Sequence, residues 1–469
     1  MAEDTTAGMT IARSGNAELD RLLIEAGYRD RRRAFARLVN QCAERYGVVF
    51  DYDHTSVKRW LVGSIPNAPA PDAIAETLTD LLGYTVTPAD LGWRAAAADD
   101  RGLRVEVVPA RTLGAIAGLT GQKMNRRDIL QSAAAVGAVA FSDAALHSLA
   151  ESYHPITAAA GTGARLGAVD AALIRETTGC FRRLDAVYGA GRLLDDVSNF
   201  LHAHTKKVLC ASYSEAAGRD LFMALAELTK LAGWMARDVN QSGLAQRYLI
   251  QALALAEHAS DHSLAVGVLD AMSHQAMHSQ EPQRAVALAR AALARGNDGL
   301  TPAQDAAVHG TEASALALAG DRRACAEALV AADAAWEQHG DGEPAWMAHY
   351  AETDIAFKAA LSHRLLGQGG PAECHIKEAL ALCPPERVRH RALCHLELST
   401  SRVVGRASAA VDVEGAVEAG NSALALAEGL RSTRVEDALR GLRSRLVRWQ
   451  DQVAVREFDQ RASAVLHSA

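Results

Sequence analysis

Residues 245–256 read AQRYLIQALALA. Apolar side chains recur there at three- and four-residue intervals, and neither glycine nor proline interrupts them, which is the pattern of an amphipathic helix. Four later segments share its small-residue start and apolar face: AVALARAALARG from Ala285, ACAEALVAADAA from Ala324, AECHIKEALALC from Ala372 and AVEAGNSALALA from Ala416. The five starts lie 40, 39, 48 and 44 residues apart. Longer helical stretches sit before or between them, for example at 220–237, 263–278 and 346–366, which gives one helical hairpin per repeat. Alanine recurs where two helices must approach closely. One hairpin cannot cover its own apolar face, so the hairpins must stack into a solenoid.

Outward from the repeats, the chain changes character three times. Residues 1–15 are polar and read as a flexible N-terminus. Residues 16–93 hold short helices separated by Gly, Pro and Asp. Residues 94–127 lose the helical period, carry a strand-like run Arg104-Val105-Glu106-Val107-Val108 ended by Pro109, and read as a linker. Residues 128–469 form the array. The fold class is all-α, an N-terminal helix-turn-helix bundle followed by a solenoid of α-helical hairpins. Among the 469 residues 49% are hydrophobic and only 5% aromatic, which suits alanine-mediated helix packing better than sheets. A net charge of −7 excludes a polycation that coats nucleic acid, though not a local basic patch. No run reaches the roughly 18–20 apolar residues of a membrane span. Seven scattered cysteines, an odd number without a C-x-x-C pair, read as reduced thiols of a cytoplasmic protein.

The short helix at 54–62, HTSVKRWLV, carries the functional reading. Asp53 is placed to cap it and Gly63 to close it, and the prolines at 66, 69 and 71 bar its continuation. At about 100° per residue, Val57, Trp60 and Leu61 face the bundle. Thr55, Arg59 and Val62 face outward, with Ser56 and Lys58 on the flanks. A helix that shows hydroxyls and cations in this way suits a major groove, with its N-terminal side chains at base edges and its cations near phosphate. Residues 28–65 carry eight Arg or Lys against four Asp or Glu. The candidate DNA contacts are Thr55, Ser56, Lys58 and Arg59, with Arg32 and Arg33 from the preceding helix.

This region resembles the DNA-binding domain of actinobacterial regulators of the xenobiotic-response-element type. The residues that carry the resemblance are Tyr52-Asp53-His54-Thr55-Ser56-Val57, then Trp60, Gly63 and Pro66, and the later string from Leu82 to Gly92, LGYTVTPADLG. Arg31-Arg32-Arg33-Ala34 departs from the family's glutamine-bearing helix start. The array resembles degenerate tetratricopeptide repeats, whose standard length is nearer 34 residues; armadillo-like or HEAT-like helix pairs fit the spacing about as well. A helix-turn-helix joined to such an array also resembles the peptide-sensing regulators of Gram-positive bacteria and their streptomycete relatives. That resemblance implies a homodimer, a concave ligand surface and transcriptional control.

Polar and aromatic groups amid alanine on the longer helices mark candidate ligand contacts on the concave face: Arg237, Asn240, His274 and Tyr350, near Trp234, His278, Trp346, His349 and Asp354. Cys374-His375, Cys383, His390 and Cys394-His395 match no recognised zinc spacing, so no metal and no cofactor are expected. Phosphate-loop, H-E-x-x-H and G-x-S-x-G motifs are missing, and no enzyme is expected. Residues 124–141 resemble a twin-arginine export signal but sit after a whole domain, and a helix starting near Asp128 accounts for them better. The sequence therefore predicts a cytoplasmic, homodimeric regulator that binds double-stranded DNA and takes a peptide, small-molecule or protein effector. The alternative is an interaction scaffold without DNA binding.

Overall fold

A computed structural model of the chain describes residues 16–44, 49–66, 70–82, 86, 88, 90–92, 102–120, 140–161, 163–297, 299–404 and 411–468. The described residues fall into two compact units, 16–92 and 102–468. Both are helical, as expected, with a single two-residue strand pair. Among the described residues no helix is long and apolar enough to cross a membrane. The expectations for 1–15, for the Arg126-Arg127 segment and for the start of a helix at Asp128 fall outside the described residues.

The first unit comprises α1 (Ala17–Glu25), α2 (Arg32–Glu44), α3 (His54–Leu61) and α4 (Ala70–Leu82). Asn16 ties three of its parts together. Its Oδ1 accepts from the Leu19 amide at 3.0 Å, capping α1, while its Nδ2 donates to the Leu91 carbonyl at 2.6 Å. Its own amide donates to the Leu61 carbonyl at the end of α3 at 2.9 Å. Leu19, Leu23, Phe35, Val39, Val57 and Leu78 are fully buried and form the core of this unit.

The second unit opens with an extended run that leads into α5 (Pro109–Thr120), followed by α6 (Ala140–Leu149) and α7 (Ala168–Tyr188). Five hairpins follow. They pair α8 (Leu194–Cys210) aside, α9 (Glu215–Asp238) with α10 (Ser242–His258), α11 (His262–His278) with α12 (Pro282–Arg295), and α13 (Pro302–Ala319) with α14 (Arg322–Trp336). The last two are α15 (Glu352–Leu365) with α16 (Gly369–Leu382) and α17 (Val388–Val403) with α18 (Val413–Ala427). Helices α19 (Thr433–Leu446) and α20 (Val453–Ser468) end the chain's described part. The first helix of each hairpin also packs on the first helix of the next, so α9, α11, α13, α15 and α17 make an inner layer.

The repeat register is sharper than the alanine starts suggested. Residues Gln241, Glu281, Asp321, Gln368 and Asp412 occupy the N-caps of the second helices. Four positions on, Ala245, Ala285, Cys325, Ala372 and Ala416 are all at most 2% exposed. In the third repeat the contact position is thus Cys325, not the half-buried Ala324, because Asp321 starts that helix one residue later in register. Small residues of the inner helix meet these positions: Ser273 Oγ donates to the Ala285 carbonyl at 2.8 Å, and Ser399 Oγ to that of Ala416 at 2.6 Å. Asn240, Ser260 and Gln280, 20 residues apart, each take φ 58° in the tight turns between successive helices. Asn240 is therefore an exposed turn residue, and not a groove residue as expected; asparagine tolerates the left-handed conformation that the turn requires.

Two further expectations are corrected here. Residues 102–120 are not a linker but part of the array. The run 104–108 has no strand partner among the described residues, so a side chain of α10 and the loop after α6 satisfy its carbonyls instead. Gln251 Nε2 donates to Gly102 O and Arg104 O, both at 3.0 Å, and the His154 amide donates to Val107 O at 2.9 Å. Pro109 then starts α5, a favoured place for proline, and Leu113 and Ile116 enter the array's core. The expected helix at 346–366 is broken: a 3-10 turn, Ala345–Met347, precedes an extended Ala351, whose amide is capped by Asp354 Oδ2 at 3.0 Å before α15 begins.

The array closes on itself. Arg389 of α17 makes two bonds to the Asp185 carboxylate of α7, at 2.7 and 2.6 Å, and a third to Asp238 at 3.3 Å. The Arg431 amide donates to Tyr188 O at 2.9 Å, and the Gly191 amide to Arg431 O at 3.1 Å. The inner layer is thereby wrapped around a polar interior.

Candidate functional site

Helix α3 is positioned by contacts at both of its ends. Asp53 Oδ1 accepts from the Thr55 and Ser56 amides at 2.9 and 3.0 Å, and these bonds, the Ser56 amide foremost, hold its carboxyl below the usual range. Val57 and Trp60 are buried at 0% and 3% exposure, with Trp60 edge-on to Tyr52 at 5.0 Å. Asn40 of α2 brackets Tyr52 like a strand partner. Its Nδ2 donates to Tyr52 O at 3.1 Å, and its Oδ1 accepts from the Tyr52 amide at 3.2 Å. One amide side chain thus sets how the chain enters α3. Nothing in the local pattern marks Asn40, because its partner lies across a loop.

Thr55, Lys58 and Arg59 are exposed along one side of α3, as expected. The Thr55 hydroxyl donates to Asp53 Oδ2 at 3.1 Å, and Arg59 Nη2 donates to Ser56 Oγ at 3.4 Å. Ser56 itself is only 4% exposed, so it is not available as a surface contact. It precedes Trp60 by four residues and so shares the buried face, and its hydroxyl turns back to Asp53 Oδ1 at 3.3 Å. Arg33 is exposed, whereas Arg32 is half-buried with its Nε donating to Arg29 O at 3.1 Å. Arg31 lies over the Tyr28 ring at 5.3 Å.

A second constellation lines the interior of the array. Arg237, His274 and Tyr350, three of the expected ligand contacts, are brought together there; Asn240 is not. The Arg237 guanidinium lies over Trp234 at 4.0 Å, and Trp234 packs on His274 at 5.3 Å between ring centres. His274 Nε2 is 3.2 Å from Thr311 Oγ1, which also accepts from Lys358 Nζ at 2.7 Å. Lys358 donates again to Ala307 O at 2.7 Å and sits 5.3 Å from the Tyr350 ring centre. Lys230 lies over Trp346 at 4.2 Å, and a Cβ at Gly267 would come within 2.8 Å of its ammonium. Glycine at that position makes room for the Trp346 ring and the cation on it. Asp354 binds Arg387 through two bonds, at 2.9 and 2.7 Å.

Charge and burial dominate the chemistry of this interior. Burial, reinforced by Lys358, Arg237, Arg434 and Lys230, holds His274 neutral well below the usual imidazole range. Burial brings Lys230 down to about 8. Both tryptophans carry a cation on one face, so an occupant meets charge there and not the aromatic surface that the sequence suggested. Lys230, Asp270, Lys358 and Arg434 escaped the sequence reading, because a charged residue on an alanine-rich helix reads as solvated. Of the cysteine–histidine group, Cys383 and Cys394 are buried and Cys374 is exposed. Among the described residues no three His, Cys, Asp or Glu side chains converge where a metal ion could sit.

Comparison with known proteins adds one likeness. Residues 19–94 match the family model described as the SP15 N-terminal domain, which covers α1 to α4 of the first unit. No curated protein matches the chain.

Proposed function

We propose that the chain is a cytoplasmic DNA-binding transcriptional regulator whose array dimerises and takes an effector. The observation that carries the reading is α3. Its buried side is held by Val57, Trp60 and the Asp53 cap, while Thr55, Lys58 and Arg59 stand exposed on the other. Eight residues of α-helix span about 12 Å, a length that fits across a major groove of similar width. In this reading Lys58 and Arg33 meet phosphate, and Thr55 and Arg59 reach base edges. Two heads brought together by the array would bind half-sites one helical turn apart, the second engagement being nearly intramolecular. An occupant of the array changes DNA affinity only by the difference in its own affinity for the DNA-bound and free states.

The test is selection of duplexes from a random pool on the full chain, then fluorescence anisotropy at several salt concentrations. Lys58→Ala should weaken binding across all sequences and reduce the salt slope by about one. Arg59→Ala should cost about 1–3 kcal/mol and relax preference at one base pair. Light scattering should give a dimer. A chain that enriches no duplex and binds none at low salt belongs instead to the class of interaction scaffolds.

A further inference from the structure

The cations of the array's interior divide into groups, and Lys358 is already satisfied by Ala307 O and Thr311 Oγ1. Arg387 and Arg389 are matched by carboxylates, in the Asp354 pair and the Asp185 and Asp238 pair respectively. Lys230, Arg237 and Arg434 make no hydrogen bond or ion pair among the described residues. Arg237 is only 6% exposed, and its Nε–H has no acceptor. It lies over the face of Trp234, and Lys230 over the face of Trp346. A ring face offsets only part of the cost of taking a cation out of water. Two more interior groups are also unsatisfied: Asp270 Oδ1 and the Tyr350 hydroxyl. A folded chain rarely leaves so many buried polar groups unmade in one place without something to fill them.

We propose that the interior of the array binds a small molecule bearing a phosphate or carboxylate group, held by Lys230, Arg237 and Arg434. Tyr350 and Asp270 supply a donor and an acceptor for its remaining polar atoms, which favours a ligand that also carries hydroxyl or amino groups. Three interior cations that no carboxylate meets at ion-pair distance among the described residues make an anion the complementary occupant. The field of these cations is the same one that helps keep His274 neutral. Closure of the array by α7 against α17 brings its early and late helices together, which suits a small ligand better than a long chain. The inference rests on the array as a sensor and not on DNA binding by α3.

The experiment is calorimetric titration and thermal shift of the full chain with pyrophosphate, with citrate and with glucose as the uncharged control, all at matched ionic strength. Either anion should bind saturably, glucose should not, and the better of the two identifies phosphate or carboxylate as the recognised group. Lys230→Met and Arg237→Met should each weaken anion binding about tenfold or more, while Lys206→Met on the exposed side of α8 leaves it unchanged. Without ligand, both interior variants should melt at the wild-type temperature or above, because each removes a cation without an ion pair and orphans no hydrogen-bonded partner. Absence of saturable binding by either anion overturns the proposal. So does equal affinity in wild type and interior variants, or a lower ligand-free melting temperature in both, which would make these cations structural. Failure here with duplex binding intact would leave the regulator standing with a different effector, and the converse would leave an anion-binding array without a DNA head.

Discussion

Acid should loosen the second unit through one histidine, and His258 is where the effect can be isolated. The ring is fully buried. Its Nδ1 faces the His154 carbonyl at 2.6 Å, and its Nε2 faces the Thr112 hydroxyl at 2.9 Å and the Glu106 carbonyl at 3.2 Å. It joins α10 to the run before α5 and to the loop after α6. Burial, opposed by the bonds to His154 and Glu106, pushes its pKa down to about 4. In the unfolded chain an unperturbed imidazole titrates near 6.5. The folded value lies below the unfolded one, so the stability is fully present above pH 6.5 and is lost as pH falls towards 4. Within that window the unfolded chain holds about one more proton, so each pH unit changes the folding equilibrium about tenfold. At pH 5 the loss amounts to about 2 kcal/mol. Other histidines act in the same direction, His390 with a pKa near 4 among them, so the wild-type slope alone is not diagnostic. The comparison is with His258→Gln, which cannot titrate. Urea unfolding of both proteins at pH 7, 6, 5 and 4.5 should give a variant less stable at pH 7 but shallower in its pH dependence by close to one proton. Parallel curves would refute the account, because they would mean that His258 titrates alike in the folded and unfolded chains.

The first unit and the closure of the array can be tested in the same way. Trp60→Ala should cost about 3–5 kcal/mol and expose α3 to limited proteolysis, while the second unit stays protected; a folded variant that loses only DNA affinity would place Trp60 at the interface. Asn40→Ala should cost about 1–3 kcal/mol, since it leaves both backbone groups of Tyr52 unmade, and should weaken duplex binding at temperatures where the unit is still folded. An unchanged affinity would mean that α3 is set without the Asn40 clamp. Arg389→Ala leaves the buried carboxylates of Asp185 and Asp238 without their counter-charge, at a cost of about 3–5 kcal/mol. Hydrogen exchange should then speed up on both α7 and α17; a change confined to α17 would show that the array holds its closure by other contacts.

What the sequence determined by itself depends on neighbours along the chain. Periodicity placed the helices, Asp53 announced the cap of α3, and the side of α3 that holds Val57 and Trp60 followed from counting 100° per residue. The repeat register was legible to within one residue, since alanine marks close helix approach wherever it recurs. Tertiary structure decided what depends on partners far away. The run 104–108 looks like a strand or a linker until Gln251 and His258, some 150 residues on, take its carbonyls. Asn40 is an ordinary helix residue until Tyr52 meets it. The interior cations come from helices scattered from α9 to α19, and each alone looks like a solvated charge on an alanine-rich face. Only the winding of the hairpins, closed by Arg389 on Asp185 204 positions away, turns those faces towards one another. A helical period reports which side of one helix is apolar; it carries no information on which polar sides will come to share an interior.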